Sequence, residues 1–256
     1  MTDKDSDAVP DGSKRHRIFL RGENVDLCVP SEQAIEDGWA DWFNDAESTT
    51  WLQHGVFPNH LSDQQAFLEQ IRARQRFAVM ICDKGGSRLY GVISLLGIDW
   101  LSRSAQIALV VGNKPPARKL VALEAMALVT EHAFLRMGLD RVWAGQAFPG
   151  LKGWNERLEW LGYRTEGVLR HGFAKGRHVT SSVMISCLYD DYARLVALRD
   201  GKYWPGCESM LALIRSRPET GLASRLAKAI EAEHETYLDE LLRIETAQRK
   251  TYTQSR

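Results

Sequence analysis

Val110 to Ala125 constrains the fold more than any other stretch of this chain. Val110-Val111-Gly112 ends a β-rich run, Asn113 to Lys119 is polar, and Leu120, Leu123, Met126, Ala127, Val129 and Phe134 then mark a long helix ending near Gly138. Strand, loop and helix in that order form the frame of a phosphate-binding turn, where backbone N–H groups and the helix dipole meet an anion. Such turns are usually rich in glycine, which lets the backbone approach a pyrophosphate closely. Here no glycine stands between Gly112 and Gly138. Side chains at Arg118 and Leu120 crowd the approach unless the loop is rerouted. Arg118 and Lys119 either supply cationic contacts in place of the lost amides or are solvated charges on a first helical turn.

The flanking pattern divides the chain into a polar, Asp- and Ser-rich tail expected to be disordered (1–16), a main domain (17–192) and a helical extension (193–256). Residues 16–30 read as a strand pair bent around Gly22. Trp39, Trp42 and Phe43 follow at helical spacing, and Ser62-Asp63-Gln64-Gln65 before Phe67, Leu68 and Ile71 has the form of an N-capped amphipathic helix. Runs 77–82 and 89–98 flank the turn signal Asp83-Lys84-Gly85-Gly86-Ser87, and 105–111 completes an antiparallel meander. Residues 141–146 form a short strand, 153–161 a helix, and 179–188 a strand that closes the sheet. The predicted class is α+β: a mixed sheet with an antiparallel N-terminal half, flanked by helices and followed by the helical extension.

Several of these motifs resemble one family. Gly112, Lys114, Lys119, Glu124 and Ala125 fall in register, without a gap, with Gly-Asp-Lys-Asp-Tyr-Trp-Gly-Lys-Gly-Tyr-Gly-Thr-Glu-Ala of the GNAT acetyltransferase superfamily, in the branch that acetylates ribosomal-protein N-termini and amino sugars. The three loop glycines are replaced by Arg118, Leu120 and Ala122, a degenerate pyrophosphate loop. Arg21-Gly22-Glu23-Asn24-Val25-Asp26-Leu27 is similar to the branch's opening strand, and Trp42-Phe43-Asn44-Asp45 to its Trp-Phe-Asn-Asp element. Leu161-Gly162-Tyr163-Arg164-Thr165-Glu166-Gly167-Val168-Leu169-Arg170 matches its Leu-Gly-Phe-x-x-Glu-Gly-x-Leu-Arg. The resemblance implies two parallel strands that splay apart, near Val111 and Gln146. It places a donor's pantetheine arm on the backbone of Leu109, Val110 and Val111, and its pyrophosphate near Arg118, Lys119, Leu120, Val121 and Ala122. The implied donor is acyl-CoA or another activated acyl group; the implied acceptor is a primary amine of a small biosynthetic molecule, an amino sugar or amino acid-like. With its glycines replaced, the loop is expected to bind acetyl-CoA weakly or in an unusual pose.

Transfer from a thioester to an amine needs a group to take the amine proton and an acid for the leaving thiolate. Many family members place a glutamate where Gln106 stands, and glutamine is no base. The branch's Asn and Ser match Leu151 and Trp154, and the tyrosine acid of other branches matches Leu158. His54, in a segment (51–60) expected to face the substrate, titrates near neutrality and is the remaining candidate base, although histidines are more often structural. Two readings stand: an acyltransferase with a modified donor site, or a GNAT-fold protein that has lost acetyl transfer and acts as a binding module or runs another reaction in the cleft.

The 33 basic and 33 acidic residues cancel, so net charge gives no case for nucleic acid. Cys28, Cys82, Cys187 and Cys207 include no C-x-x-C pair, which favours buried thiols over a metal site. No apolar run is long enough to span a bilayer, and Met1 to Asp7 lacks the regions of a signal peptide, so a cytoplasmic protein is expected. Leu226, Ile230, Tyr237, Leu238, Leu241, Leu242 and Ile244 set a stripe on a helix over 222–250. That stripe is expected to dock on the domain or, in a homodimer, on a second copy.

Overall fold

Side chains alternate across a strand, so a strand that is apolar at every position must be covered on both faces. β3 (Phe77–Cys82) is such a strand: Val79 and Ile81 enter one core, and Ala78, Met80 and Cys82 another. The computed structural model describes residues 15–218 and 220–254, with side chains through Ala247. It joins β1 (Ile18–Arg21), β2 (Asp26–Cys28), β3, β4 (Leu89–Asp99), β5 (Ser104–Val111), β6 (Arg141–Phe148), β7 (Arg164–Lys175) and β8 (His178–Leu188) in one sheet. The order is β1-β2-β3-β4-β5-β6-β8-β7. Only β5 and β6 pair in parallel; every other pair is antiparallel. The fold is therefore the expected α+β mixed sheet. β8 lies inside it, however, and β7 forms the edge.

One face carries α1 (Glu32–Ala34), which runs on through a π turn (Ile35–Trp39) and a 3-10 turn (Asp41–Phe43), and α2 (Leu61–Arg72). Trp39, Trp42 and Leu68 are buried there. The other face carries α3 (Val121–Leu135), buried on most of its circumference. α3 begins three residues after the expected Arg118, behind a 3-10 turn (Ala117–Lys119), because Leu120 takes the left-handed conformation (φ +48°) and breaks the helix there. α4 (Lys152–Leu158), α5 (Tyr189–Leu198), α6 (Cys207–Ser216) and α7 (Leu222–Gln254) follow.

Two residues of the 161–170 motif behind the family resemblance are structural. Tyr163 is buried with its hydroxyl 2.7 Å from that of Thr130, and Glu166 receives two hydrogen bonds from Arg141, at 2.6 and 2.5 Å, across the intervening β8.

Residues 1–14 of the expected tail lie outside the described residues. His16, assigned to the tail from sequence, is buried and donates its N–H to Gly86 O at 2.8 Å. The boundary after residue 192 falls inside α5, and Tyr192, Tyr203, Cys207, Met210 and Ala223 share the α3-side core. α7 docks only by its first turns. Ala223 is buried, but residues 231–247 are exposed, including Tyr237, Leu238, Leu241, Leu242 and Ile244. Docking of the whole stripe on the domain is thus not observed: six carboxylates in 231–247, Glu231, Glu233, Glu235, Asp239, Glu240 and Glu245, favour hydration of that half. Among the described residues no helix is long and apolar enough to cross a membrane.

Candidate functional site

β5 and β6 pair over only three positions, Ser104 with Arg141, Ala105 with Val142 and Gln106 with Trp143. Beyond them β5 continues to Val111 and β6 to Phe148, each held by its outer neighbour alone. The two strands therefore separate, at the place expected from sequence. A cavity of about 880 Å³ occupies the wedge, within the ordinary range for small-molecule sites. Leu109, Val110 and Val111 line it together with Gly145, Gln146 and Ala147. Because β5 spends only one edge on β4, its other peptide groups open on the wedge and need a partner there.

The loop leading to α3 ends at the mouth of this cavity. Of the three residues at glycine positions, only Ala122 lines it. Arg118 is exposed, and Leu120 turns its side chain into the α3-side core, so the crowding expected at Leu120 does not arise. The left-handed conformation of Leu120 costs roughly 1–2 kcal/mol for a residue with a Cβ. Burial of the side chain offsets that cost. Among the described residues neither Arg118 nor Lys119 makes an ion pair, and the first N–H groups of α3, at Val121 and Ala122, are free of intrahelical partners.

The donor-side loop is fixed from both sides. Gly112 lies against Trp42 so closely that a Cβ there would sit 2.0 Å from the ring, which joins two of the sequence motifs. From behind, Cys207 donates its thiol to Arg118 O at 3.1 Å and its N–H to Glu23 Oε2 at 2.8 Å. Glu124, fully buried, accepts from the N–H groups of Glu23 and Asn24. Burial raises its pKa, while those two N–H groups oppose the shift.

The opposite side of the cavity is a wall of side chains. Lys175, on the β7–β8 hairpin, donates to Thr49 O at 2.5 Å and His54 O at 2.9 Å and so ties the loop 44–60 down. Trp51 then packs over Gly150, where a Cβ would lie 2.2 Å from the indole, and against Phe173 and His178 with centroids 6.0 and 5.8 Å away. His54 and Gln106, the two catalytic candidates, both line the cavity. Desolvation, and then the charge of Lys175, push the His54 pKa down, so its imidazole is neutral at pH 7.

Leu151 and Trp154 also line the cavity, whereas Leu158, at the position of other branches' tyrosine, is buried in the core and carries no acidic group. The carboxylates of the lining, Asp45 and Glu47, are already engaged: Asp45 accepts from Ser48 N at 2.6 Å, which lowers its pKa, and Glu47 pairs with Lys114 at 2.6 Å. Sequence reasoning missed Trp143, Leu169, Phe173 and Met184. Nothing in a single strand's pattern separates a residue facing a cavity from one facing a core.

Residues 29–147 match the family model described as Acetyltransferase (GNAT) domain. No curated protein sequence matches the chain. Among solved structures, a GNAT-family acetyltransferase from Bacillus anthracis is 19% identical with a TM-score of 0.57, covering 68% of this chain and 99% of that one. A GCN5-related N-acetyltransferase from Brucella melitensis is 18% identical, TM-score 0.55, covering 83% and 91%. Spermidine N-acetyltransferase from Vibrio cholerae, solved with CoA and spermine, is 15% identical, TM-score 0.58, covering 66% and 98%. The molecule thus has the GNAT fold, and residues 29–147 resemble the GNAT acetyltransferase domain.

Proposed function

We propose that the protein is an N-acyltransferase that moves an acyl group from acyl-CoA, or another activated donor, to a primary amine of a small biosynthetic molecule. The open edge of β5 in a wedge that leads to the start of α3 carries this reading. The residues present fit such a donor: free peptide groups at 107–111 suit an amide-bearing arm, and Arg118, Lys119 and the α3 N-terminus suit a diphosphate. A bound acyl thioester supplies the electrophilic carbonyl. The apolar lining favours the neutral, nucleophilic form of an amine; on this reading the amine nitrogen bonds to the thioester carbonyl, the Gln106 amide donates an N–H to the developing oxyanion, His54 takes the amine proton, and the C–S bond breaks to release a thiolate that takes up that proton. Positioning then supplies much of the rate.

With Arg118, Leu120 and Ala122 at the loop's glycine positions and cations supplying part of the anion contact, acetyl-CoA binding is expected to be weak and strongly salt-dependent. Calorimetry with acetyl-CoA and longer acyl-CoAs tests this. Arg118→Ala with Lys119→Ala is expected to cost about tenfold in affinity, near 1.4 kcal/mol. Absence of any CoA binding sinks the reading. Gln106, Leu151 and Trp154 at the family's catalytic positions favour a second reading, a binding module without turnover. Release of free thiol in multiple turnovers decides between the two. The exposed stripe of α7 makes pairing with a second copy our proposal for the assembly, with mass per particle as its check.

A further inference from the structure

Resting on the acyl-transfer reading, we propose that the acceptor side of the cleft takes an amine carrying a bulky apolar group, aromatic or branched aliphatic, in preference to a polyamine or an amino sugar. Its wall is made of Trp51, Leu52, Leu169, Phe173 and Met184. A polyamine brings further ammonium groups that need acceptors. Among the described residues the lining holds two carboxylates, Asp45 and Glu47; Glu47 is paired with Lys114, whose charge also bears on Asp45. An amino sugar brings several hydroxyls. Each one buried without a partner costs roughly 1–3 kcal/mol, and the uncharged polar side chains of the lining, Ser48, Gln53, His54, Gln106, Gln146 and Ser182, are outnumbered by its apolar ones.

The wall is also preformed. Gly150 leaves room for the indole of Trp51, Phe173 and His178 flank it, and Lys175 anchors the loop on either side through the carbonyls of Thr49 and His54. A fixed aromatic wall loses little side-chain freedom on binding, so apolar contact is returned as affinity. The lowered His54 pKa agrees with this, since an apolar surround favours the uncharged form of both imidazole and amine.

The test is calorimetric titration of the full chain with 2-phenylethylamine, isoamylamine, glucosamine and spermidine, each with and without CoA. The apolar amines are expected to bind at least about tenfold tighter than the other two. Trp51→Ala is expected to remove most of that preference while leaving CoA affinity within about twofold; Leu169→Asp, on a half-exposed edge residue, checks the result without touching the core. Equal or tighter binding of spermidine or glucosamine overturns the inference, as does a preference that survives both variants. Failure of CoA to bind counts against the acyl-transfer reading alone, because the amine titrations are read without it.

Discussion

The two walls of the cleft are built by different means. The donor wall is backbone, the open edge of β5 and the first turn of α3, and it is held from behind by Glu124, Glu23 and Cys207. The acceptor wall is side chain, Trp51, Leu169 and Phe173 on a loop and an edge hairpin tied by Lys175. Backbone recognition survives a change of side chain, which is how three glycine positions are filled by Arg118, Leu120 and Ala122 while the wedge persists. Side-chain recognition does not. On the proposed reading the donor class resides in the fold, and the acceptor in the particular residues of one loop and one hairpin.

The strongest way to break this contrast is to remove the support behind the donor wall. Truncation after Asp200 deletes Tyr203, Cys207, Met210 and Ala223 from the core. Large buried side chains contribute about 2–5 kcal/mol each, comparable with total domain stability. The shortened chain is expected to aggregate or to lose cooperative melting in calorimetry. Truncation after Glu231, beyond which the described side chains (232–247) are all exposed, is expected to shift the melting temperature by less than about 2 °C.

Gly112→Leu comes next. It drives a side chain into Trp42 and is expected to cost about 1–3 kcal/mol, read as a lower melting temperature together with weaker CoA binding. On the acceptor side Lys175→Met releases the Thr49 and His54 carbonyls. Amine affinity is expected to fall about fivefold, roughly 1 kcal/mol, with melting nearly unchanged. Equal losses of stability in these two variants would erase the distinction between the walls.

The smallest effect is a pH dependence on the α3 side. His132 lies between Phe19 and Phe77, with centroids 5.2 and 5.3 Å away, and burial, then Arg136, hold its pKa below the usual value. The unfolded chain then takes up the proton first, so this contribution to stability is lost as pH falls below about 6.5. Glu124 acts in the opposite sense, because its raised pKa makes the folded chain the better proton acceptor. Melting scans from pH 7.5 to 5 are therefore expected to be flatter at the acid end for His132→Leu than for the parent chain.

Much of this was legible in the chain. The β-rich runs 77–82 and 105–111 and the stripe on α3 predict the meander and its covering helix, because residue type and local period report which segments are buried. The loop register likewise locates the wedge and its mouth. Trp143, Phe173 and Met184 were not legible, since a residue facing a cavity and one facing a core have the same period. The fate of α7 was half legible: its apolar spacing predicts a helix, but the seating of Ala223 and the exposure of 231–247 depend on where the domain surface ends.

By itself the sequence determined the meander, the helix that follows it and the antiparallel half of the sheet, all of which follow from residue type and spacing within a short window. Only the tertiary structure decided that Leu120 turns inward, that Cys207 reaches back 89 positions to hold the Arg118 carbonyl, and that Trp51 meets Phe173 in one wall of the cavity. Those contacts join segments far apart in the chain, and no local period encodes a distance between segments that only packing brings together.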